Sequence, residues 1–388
     1  LKRTRGREIA MTPNRWCCSV VAVLVCVLGV AIKFLIDDVM EFMGEWRLEM
    51  PCNDDSCQLV GAELLRGGED MALWRDGVVI VTAGDLNHTF HYDPALAKGT
   101  GVFAVDLRTR PLPAVRKVEL LGYPAGTKFV GHGLFLSNSS RRAYFINHGD
   151  YSTAKSYVDI FAVEGSDFVS LKLKHLSRID SPLFPAAGIN DVVEGRSPDE
   201  VFVSVWRHFA QSREVTAVGP ENEDASGLAL LKYRYLGING DLGVLRCSRT
   251  TESDADWVCK KTSAWGMVSG NGMTVSPDRS ILLVSCPECQ RVFSYHIGAD
   301  GELSASGPPI KLPMVVDNIE WDEETGRIFY GGVPVPARSH FRGDVAPGEF
   351  FVSTLPTSES VKFDFILRHN GSKLSGFSAG VQYGQAVL

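Results

Sequence analysis

The chain has 388 residues, 45% of them hydrophobic, and carries 39 Lys and Arg against 46 Asp and Glu, a net charge of −7. That composition supports a large core, excludes global disorder, and holds no basic patch dense enough for a phosphate backbone, so nucleic acid is excluded as a partner. The length suits one large all-β domain or two ordinary ones.

The N-terminus opens with a basic stretch, LKRTRGREIAMTPNRW, followed by a charge-free run from Cys17 to Ile32; Lys33 interrupts it and the apolar run resumes to Ile36. A basic flank before such a run predicts a signal anchor over residues 17–36 that serves as a transmembrane helix and membrane contact. By the positive-inside rule residues 1–16 are then cytoplasmic, residues 37–56 form a stalk, and 57–388 are lumenal or extracellular. A cleaved signal peptide, which would leave a secreted protein, is the rival reading.

Two further features fit a secretory route. Sequons stand at Asn87, Asn138 and Asn370, which makes a glycoprotein the expectation. Beyond the apolar segment lie Cys52, Cys57, Cys247, Cys259, Cys286 and Cys289. An even set in an oxidising compartment reads as disulfides, with the pairing left open. Cys286-Pro-Glu-Cys289 resembles half of a zinc site, but no second half exists in the sequence.

After residue 57 the chain is a series of short alternating runs, such as GVVIVTAG, GVFAVDL, RAYFINHG, YVDIFAVE, EVFVSVW, ILLVSCPE and RIFYGGV. Period-2 runs broken by Gly, Pro, Asn and Asp are the mark of strands and hairpins. So many short strands exceed one sandwich and fit a β-propeller of six or seven blades.

Within these runs oxygen-bearing side chains occur in pairs: Glu69-Asp70, Asn190-Asp191 and Asp317-Asn318, each flanked by apolar residues, with Asn271 beside Gly272. Single pairs of this kind are ordinary turn residues. Three pairs in apolar settings point instead to inner strands converging on a propeller axis. Glu69, Asn190, Asn271, Asp317 and Asn318 offer hard oxygens of mixed charge, the donor set that Ca²⁺ takes, and Asp70 and Asp191 extend it. His132, between two glycines, and His148, at a strand end, are placed to be neighbours in one blade, where one orients the other as a general base toward water. No G-x-S-x-G elbow is present, so a serine triad is not expected.

The motifs GGEDMALW, VGHGL, INHGDYSTAKSYVDIF, INDVV, GNGMTVSPD and VVDNIEWDEETG, in that order, resemble the paraoxonase/arylesterase family from about residue 57 to 335. The resemblance implies a six-bladed β-propeller, here preceded by an N-terminal hydrophobic helix, with two calcium ions in its tunnel. It implies that Glu69, Asn190, Asn271, Asp317 and Asn318 hold a catalytic ion, and that Asp70, Asp191 and the backbone carbonyl of Leu134 hold a structural one. His132 matches the family's base and His148 its partner.

The activity implied is hydrolysis of aryl esters or lactones, with small lipophilic substrates. The chain departs from the family at Trp206-Arg207-His208, where an Asn-Asp-His loop is usual, and in GGVPVPAR, which lacks a histidine. Cys57 matches one half of the family's ring-closing disulfide, whose other half is missing from the C-terminal residues. These departures sustain an alternative: a non-catalytic, calcium-stabilised ectodomain that binds lipid or protein. A strictosidine-synthase-like propeller would not need the paired oxygen residues.

Overall fold

A computed structural model describes residues 28–29, 32–33, 60–61, 63–65, 67–84, 100–150, 155–185, 188–206, 242–249, 257–323, 325–334, 348–354, 362–369, 379–384 and 386–388. Five sheets follow one another along the chain. The first is a meander of β1 (Gly68–Arg75), β2 (Val78–Ala83), β3 (Gly101–Asp106) and β4 (Ala114–Lys117). Its opening hairpin turns on Asp76-Gly77, both at positive φ (44° and 74°), the backbone that a two-residue turn needs to match strand twist.

The second sheet takes β5 (Glu119–Leu121), β6 (Gly131–Ser137), β7 (Arg142–Asp150), β8 (Lys155–Glu164) and β9 (Lys172–Ile179). Here β5 lies parallel to β9 on the outer edge. The third contains β10 (Ile189–Glu194), β11 (Glu200–Val205), β12 (Gly243–Arg249) and β13 (Trp257–Lys261). The fourth contains β14 (Met273–Val275), β15 (Ile281–Cys286), β16 (Arg291–Ile297), β17 (Leu303–Ala305) and β18 (Ile310–Lys311). The fifth contains β19 (Val315–Trp321), β20 (Arg327–Val333), β21 (Gly348–Thr354) and β22 (Asp364–His369). A two-stranded ribbon follows, β23 (Gln382–Tyr383) with β24 (Ala386–Val387).

Each sheet is a propeller blade whose first strand faces the axis; in the second blade that strand is β6. The inner strands pack side by side in the order β1, β6, β10, β14, β19. The amide of Asn318 on β19 donates to the carbonyl of Glu69 on β1 at 3.0 Å and joins the last blade to the first. The second strands β2 (VVIVTA) and β11 (EVFVSV) are buried along their whole length, and β15 and β20 along all but their ends, because each is covered on both faces by neighbouring blades. The core is accordingly a set of layers between blades. Phe129, Phe145 and Phe161 meet edge to face between the first and second blades, and each such ring contributes roughly 1.5–3 kcal/mol through burial.

Two expectations are corrected. The described residues form five blades, not six. The described residues after β22 make only the ribbon, which fills the seam between the fifth and first blades. Val381 packs with Val79, Val81 and Val105, and Val387 with Phe329 and Phe350. The Tyr383 ring lies so close to Gly77 that a Cβ there would meet it at 2.7 Å. The second correction concerns the membrane. Among the described residues no helix is long and apolar enough to cross a bilayer. Of the expected anchor only residues 28, 29, 32 and 33 are described, and all four are helical. The remainder of the anchor, the stalk, Cys52, Cys57, Asn87, Asn370, Arg207 and His208 lie outside the described residues.

The other cysteines pair as Cys247–Cys259, across β12 and β13, and Cys286–Cys289, within the β15–β16 turn. The latter bond leaves no zinc half-site there. Asn138 is exposed in the β6–β7 turn, open to glycosylation.

Candidate functional site

A regular strand sends successive side chains to opposite faces, so adjacent Asn-Asp or Asp-Asn residues should not share one environment. The inner strands escape that rule at one level of the axis. On β1 the register slips between Gly68 and Asp70, which sets Glu69 and Asp70 against Thr82. On β10 it slips between Ile189 and Val192, setting Asn190 and Asp191 against Ser204. On β19 the slip sets Asp317 and Asn318 against Gly331, and on β6 it sets His132 and Gly133 against Ile146. Just before β14, Asn271 N donates to Ser285 O at 3.0 Å while Ser285 N donates to Gly272 O at 2.9 Å, again two residues against one. A β-bulge re-aims side chains in this way. Five blades thus place every paired residue at one level, and Glu69, Asp70, Asn190, Asp191, Asn271 and Asn318 are all buried there while Asp317 is half-buried.

The seams between inner strands are tight. A Cβ on Gly133 would come within 2.5 Å of Asn190 O and Asp191 Oδ1. Gly272 is held as closely against Asp317 O and the Asn318 backbone. Glycine at these two positions is therefore what lets β6 approach β10 and β14 approach β19.

The histidines form a chain of hydrogen bonds. His132 Nε2 lies 2.6 Å from Glu69 Oε1. His132 Nδ1 lies 2.8 Å from His148 Nε2, and His148 Nδ1 lies 2.7 Å from Ser156 Oγ. Burial lowers the pKa of His132, but the charge and hydrogen bond of Glu69, with the charges of Asp317 and Asp70, raise it on balance above the ordinary histidine value. Burial and the neighbouring His132 push His148 well below it. Trp206, half-buried at the end of β11, meets the His132 ring edge-on at 6.0 Å between centroids.

The other acids of these bulges hold backbone amides. Asp70 accepts from Met71 N at 2.8 Å and Leu134 N at 2.7 Å. Asp191 accepts from Val192 N at 2.7 Å and Met273 N at 2.5 Å. Each carboxylate thus ties its own strand to the next blade. Burial is the main cause that pushes Asp70 up to about 7, with the Glu69 charge adding to it against the two amide donors. Burial and then the Asp70 charge raise Asp191 well above the usual carboxylate range. Glu320, two residues beyond Asn318, is raised in the same way by burial and Asp70, with the neighbouring charges of Glu323 and Asp322 adding to it. A cation among these groups would favour their charged forms.

The donor chemistry fits calcium. Asn190 Oδ1 and Asn271 Oδ1 are buried and accept no hydrogen bond from any described group. An amide oxygen left so is costly, about 1–3 kcal/mol each, unless it serves another partner. Among the described residues no group of three or more His, Cys, Asp or Glu is disposed to hold a metal alone, so a cation here would depend on the amides as well as the acids. Leu134 supplies its N–H to Asp70, and its carbonyl lies on the same inner strand.

No family model matches the chain, and no curated protein does. Solved structures similar to it include a hypothetical selenium-binding protein from Sulfolobus tokodaii (10% identity, 85% of this chain and 75% of that one, TM-score 0.47). They include the periplasmic gluconolactonase PpgL of Pseudomonas aeruginosa (10%, 81% and 72%, TM-score 0.40). They also include a PQQ-bound aldose sugar dehydrogenase of Streptomyces coelicolor (12%, 82% and 86%, TM-score 0.39). Likeness this loose assigns no activity.

Proposed function

We propose that the chain is a calcium-dependent hydrolase of carboxylic esters or lactones, as its sequence resemblance to the paraoxonase/arylesterase family implies. The observation that carries this reading is the pair of buried amide oxygens, Asn190 Oδ1 and Asn271 Oδ1, which accept no hydrogen bond from a described group at the level of Glu69, Asp317 and Asn318. These five residues would hold a catalytic ion, and Asp70, Asp191 and the Leu134 carbonyl a structural one. Bound calcium supplies Lewis-acid polarisation of a substrate carbonyl.

The protein's own groups handle the proton. Hydrolysis adds water to the carbonyl carbon and returns a proton to the leaving alcohol. Glu69 and His132 share a hydrogen bond of 2.6 Å and form the base unit. His132 Nδ1 continues that unit to His148 Nε2, and His148 Nδ1 to Ser156 Oγ. His148, kept neutral by burial and by His132, orients the His132 ring through the Nδ1–Nε2 hydrogen bond. The half-buried Trp206 ring beside His132 offers an apolar wall for a lipophilic acyl or aryl group.

The burial of His132, at 2% exposure, favours a second reading in which calcium only stabilises a binding propeller. Hydrolysis of phenyl acetate and of a medium-chain lactone, assayed before and after chelation, separates the two. Chelator-sensitive turnover supports the hydrolase. Loss of thermal stability on chelation, with no turnover at any calcium concentration, supports the binding module.

A further inference from the structure

Three of the second strands carry one hydroxyl in an otherwise apolar run, always after a valine: Val81-Thr82, Val203-Ser204 and Val284-Ser285. All three hydroxyl residues are completely buried, and all three stand opposite the bulges. A bulge leaves backbone groups without ladder partners, and these side chains supply them. Ser204 Oγ accepts from Asp191 N at 2.9 Å, within its own blade. Ser285 Oγ donates to Asp317 O at 2.7 Å, across to the fifth blade.

Thr82 does both. Its Oγ1 accepts from Asp70 N at 3.2 Å and donates to His132 O at 2.6 Å; the Asp70 carbonyl lies 3.2 Å away as a weaker second acceptor. One hydroxyl therefore fixes the bulge that carries Glu69-Asp70 to the bulge that carries His132. The hydrogen bond between Glu69 and His132 spans the same seam.

We propose that Thr82 is a positioning residue that sets the Glu69–His132 hydrogen bond by bolting β1 to β6. It touches no substrate and acts through the two backbones. This assignment deepens the hydrolase reading, but its geometric part stands without it. A hydrogen bond held across two separate blades depends on the spacing of those blades, and a displacement of about 1 Å is enough to cost roughly a hundred-fold in rate at a catalytic group. Thr82→Val keeps the shape and removes both interactions. Thr82→Ser keeps the oxygen.

The test is the imidazole signal of His132 in protein labelled with ¹⁵N-histidine, assigned by the loss of one histidine spin system in His132→Gln. Wild type and Thr82→Ser are expected to show a strongly downfield Nε2 proton, and Thr82→Val to lose it or shift it upfield. Ser204→Ala is the control: it removes a buried hydroxyl from a bulge of another blade and is expected to leave that signal in place. Should Thr82→Val fail to fold, Thr82→Cys preserves the volume with a weaker donor and is expected to move the signal part of the way.

An unchanged His132 signal in the folded Thr82→Val or Thr82→Cys protein overturns the proposal, as does an equal change in Ser204→Ala. Turnover of phenyl acetate is read in parallel. A roughly ten- to hundred-fold fall in kcat for Thr82→Val, restored in Thr82→Ser, is expected. Absence of turnover in wild type would overturn the hydrolase reading while the NMR comparison still decides the role of Thr82.

Discussion

His132 Nε2 lies 2.6 Å from Glu69 Oε1, across the seam between two blades. The two residues are 63 positions apart in the chain and meet only because each sits in a bulge at the same level of the axis. The pair therefore depends on the geometry of the ring, and substitutions that disturb the ring should be felt there.

The metal ligands should matter more to turnover than the imidazole. Asp317→Ala removes a carboxylate from the proposed ion and is expected to lower kcat/KM by about 10³-fold or more. His132→Gln removes a base that solvent partly replaces, for a loss of about 10²-fold. Steady-state kinetics with phenyl acetate, alongside metal content, checks this. Equal losses with calcium content unchanged would speak against metal-led chemistry.

Gly133→Ala should loosen the second and third blades. The added methyl would lie 2.5 Å from Asn190 O and Asp191 Oδ1, so a strand must shift, at a cost of about 1–3 kcal/mol. Gly307, where an added methyl would meet nothing within 4 Å, is the control, and its alanine variant should stay within about 0.5 kcal/mol of wild type. Chemical denaturation of both at equal calcium measures the difference; similar midpoints would contradict the tight seam.

Acid stability should depend on Asp159 of the second blade. This fully buried carboxylate accepts from Arg178 Nε at 2.7 Å, Asn147 Nδ2 at 2.8 Å and Tyr123 OH at 3.1 Å. Burial would raise its pKa, but hydrogen bonds from His175, Arg178 and Asn147, with the Arg178 charge, hold it below the usual value. A folded pKa below the unfolded one, about 3.9, means its contribution is complete above that value. The contribution is lost as pH falls through the lower folded value. Asp159→Asn should cost about 3 kcal/mol at neutral pH, where Arg178 is left partly buried and uncompensated. The gap from wild type should narrow toward pH 3. Urea midpoints across pH 3–7 test it, and a gap independent of pH would refute it.

The propeller class and the residues of the axis are legible in the sequence because apolar period-2 runs and oxygen pairs inside them are local signals. The reason for the pairs is not legible there. A bulge is a relation between two strands, and the register slip at Asn190-Asp191 appears only when Ser204 is seen opposite. The hydroxyls leave a faint signal, a Val-Thr or Val-Ser step repeated in β2, β11 and β15, that is meaningful only once those strands are aligned on the bulges. Ser156 leaves none, since it reaches His148 from a neighbouring strand. The blade number does not follow from strand-like runs, which count strands and not sheets. The last apolar residues, Val381 and Val387, fill a seam rather than found a blade.

The amides and acids of the axis are proposed to hold calcium, and the most direct test is calorimetric titration of calcium into chelated protein, wild type beside Asn271→Ala. Saturable binding by the wild type is predicted, with affinity lowered at least about ten-fold, 1.4 kcal/mol, in Asn271→Ala. No saturable calcium binding by folded wild-type protein, or identical isotherms for the two, would contradict it.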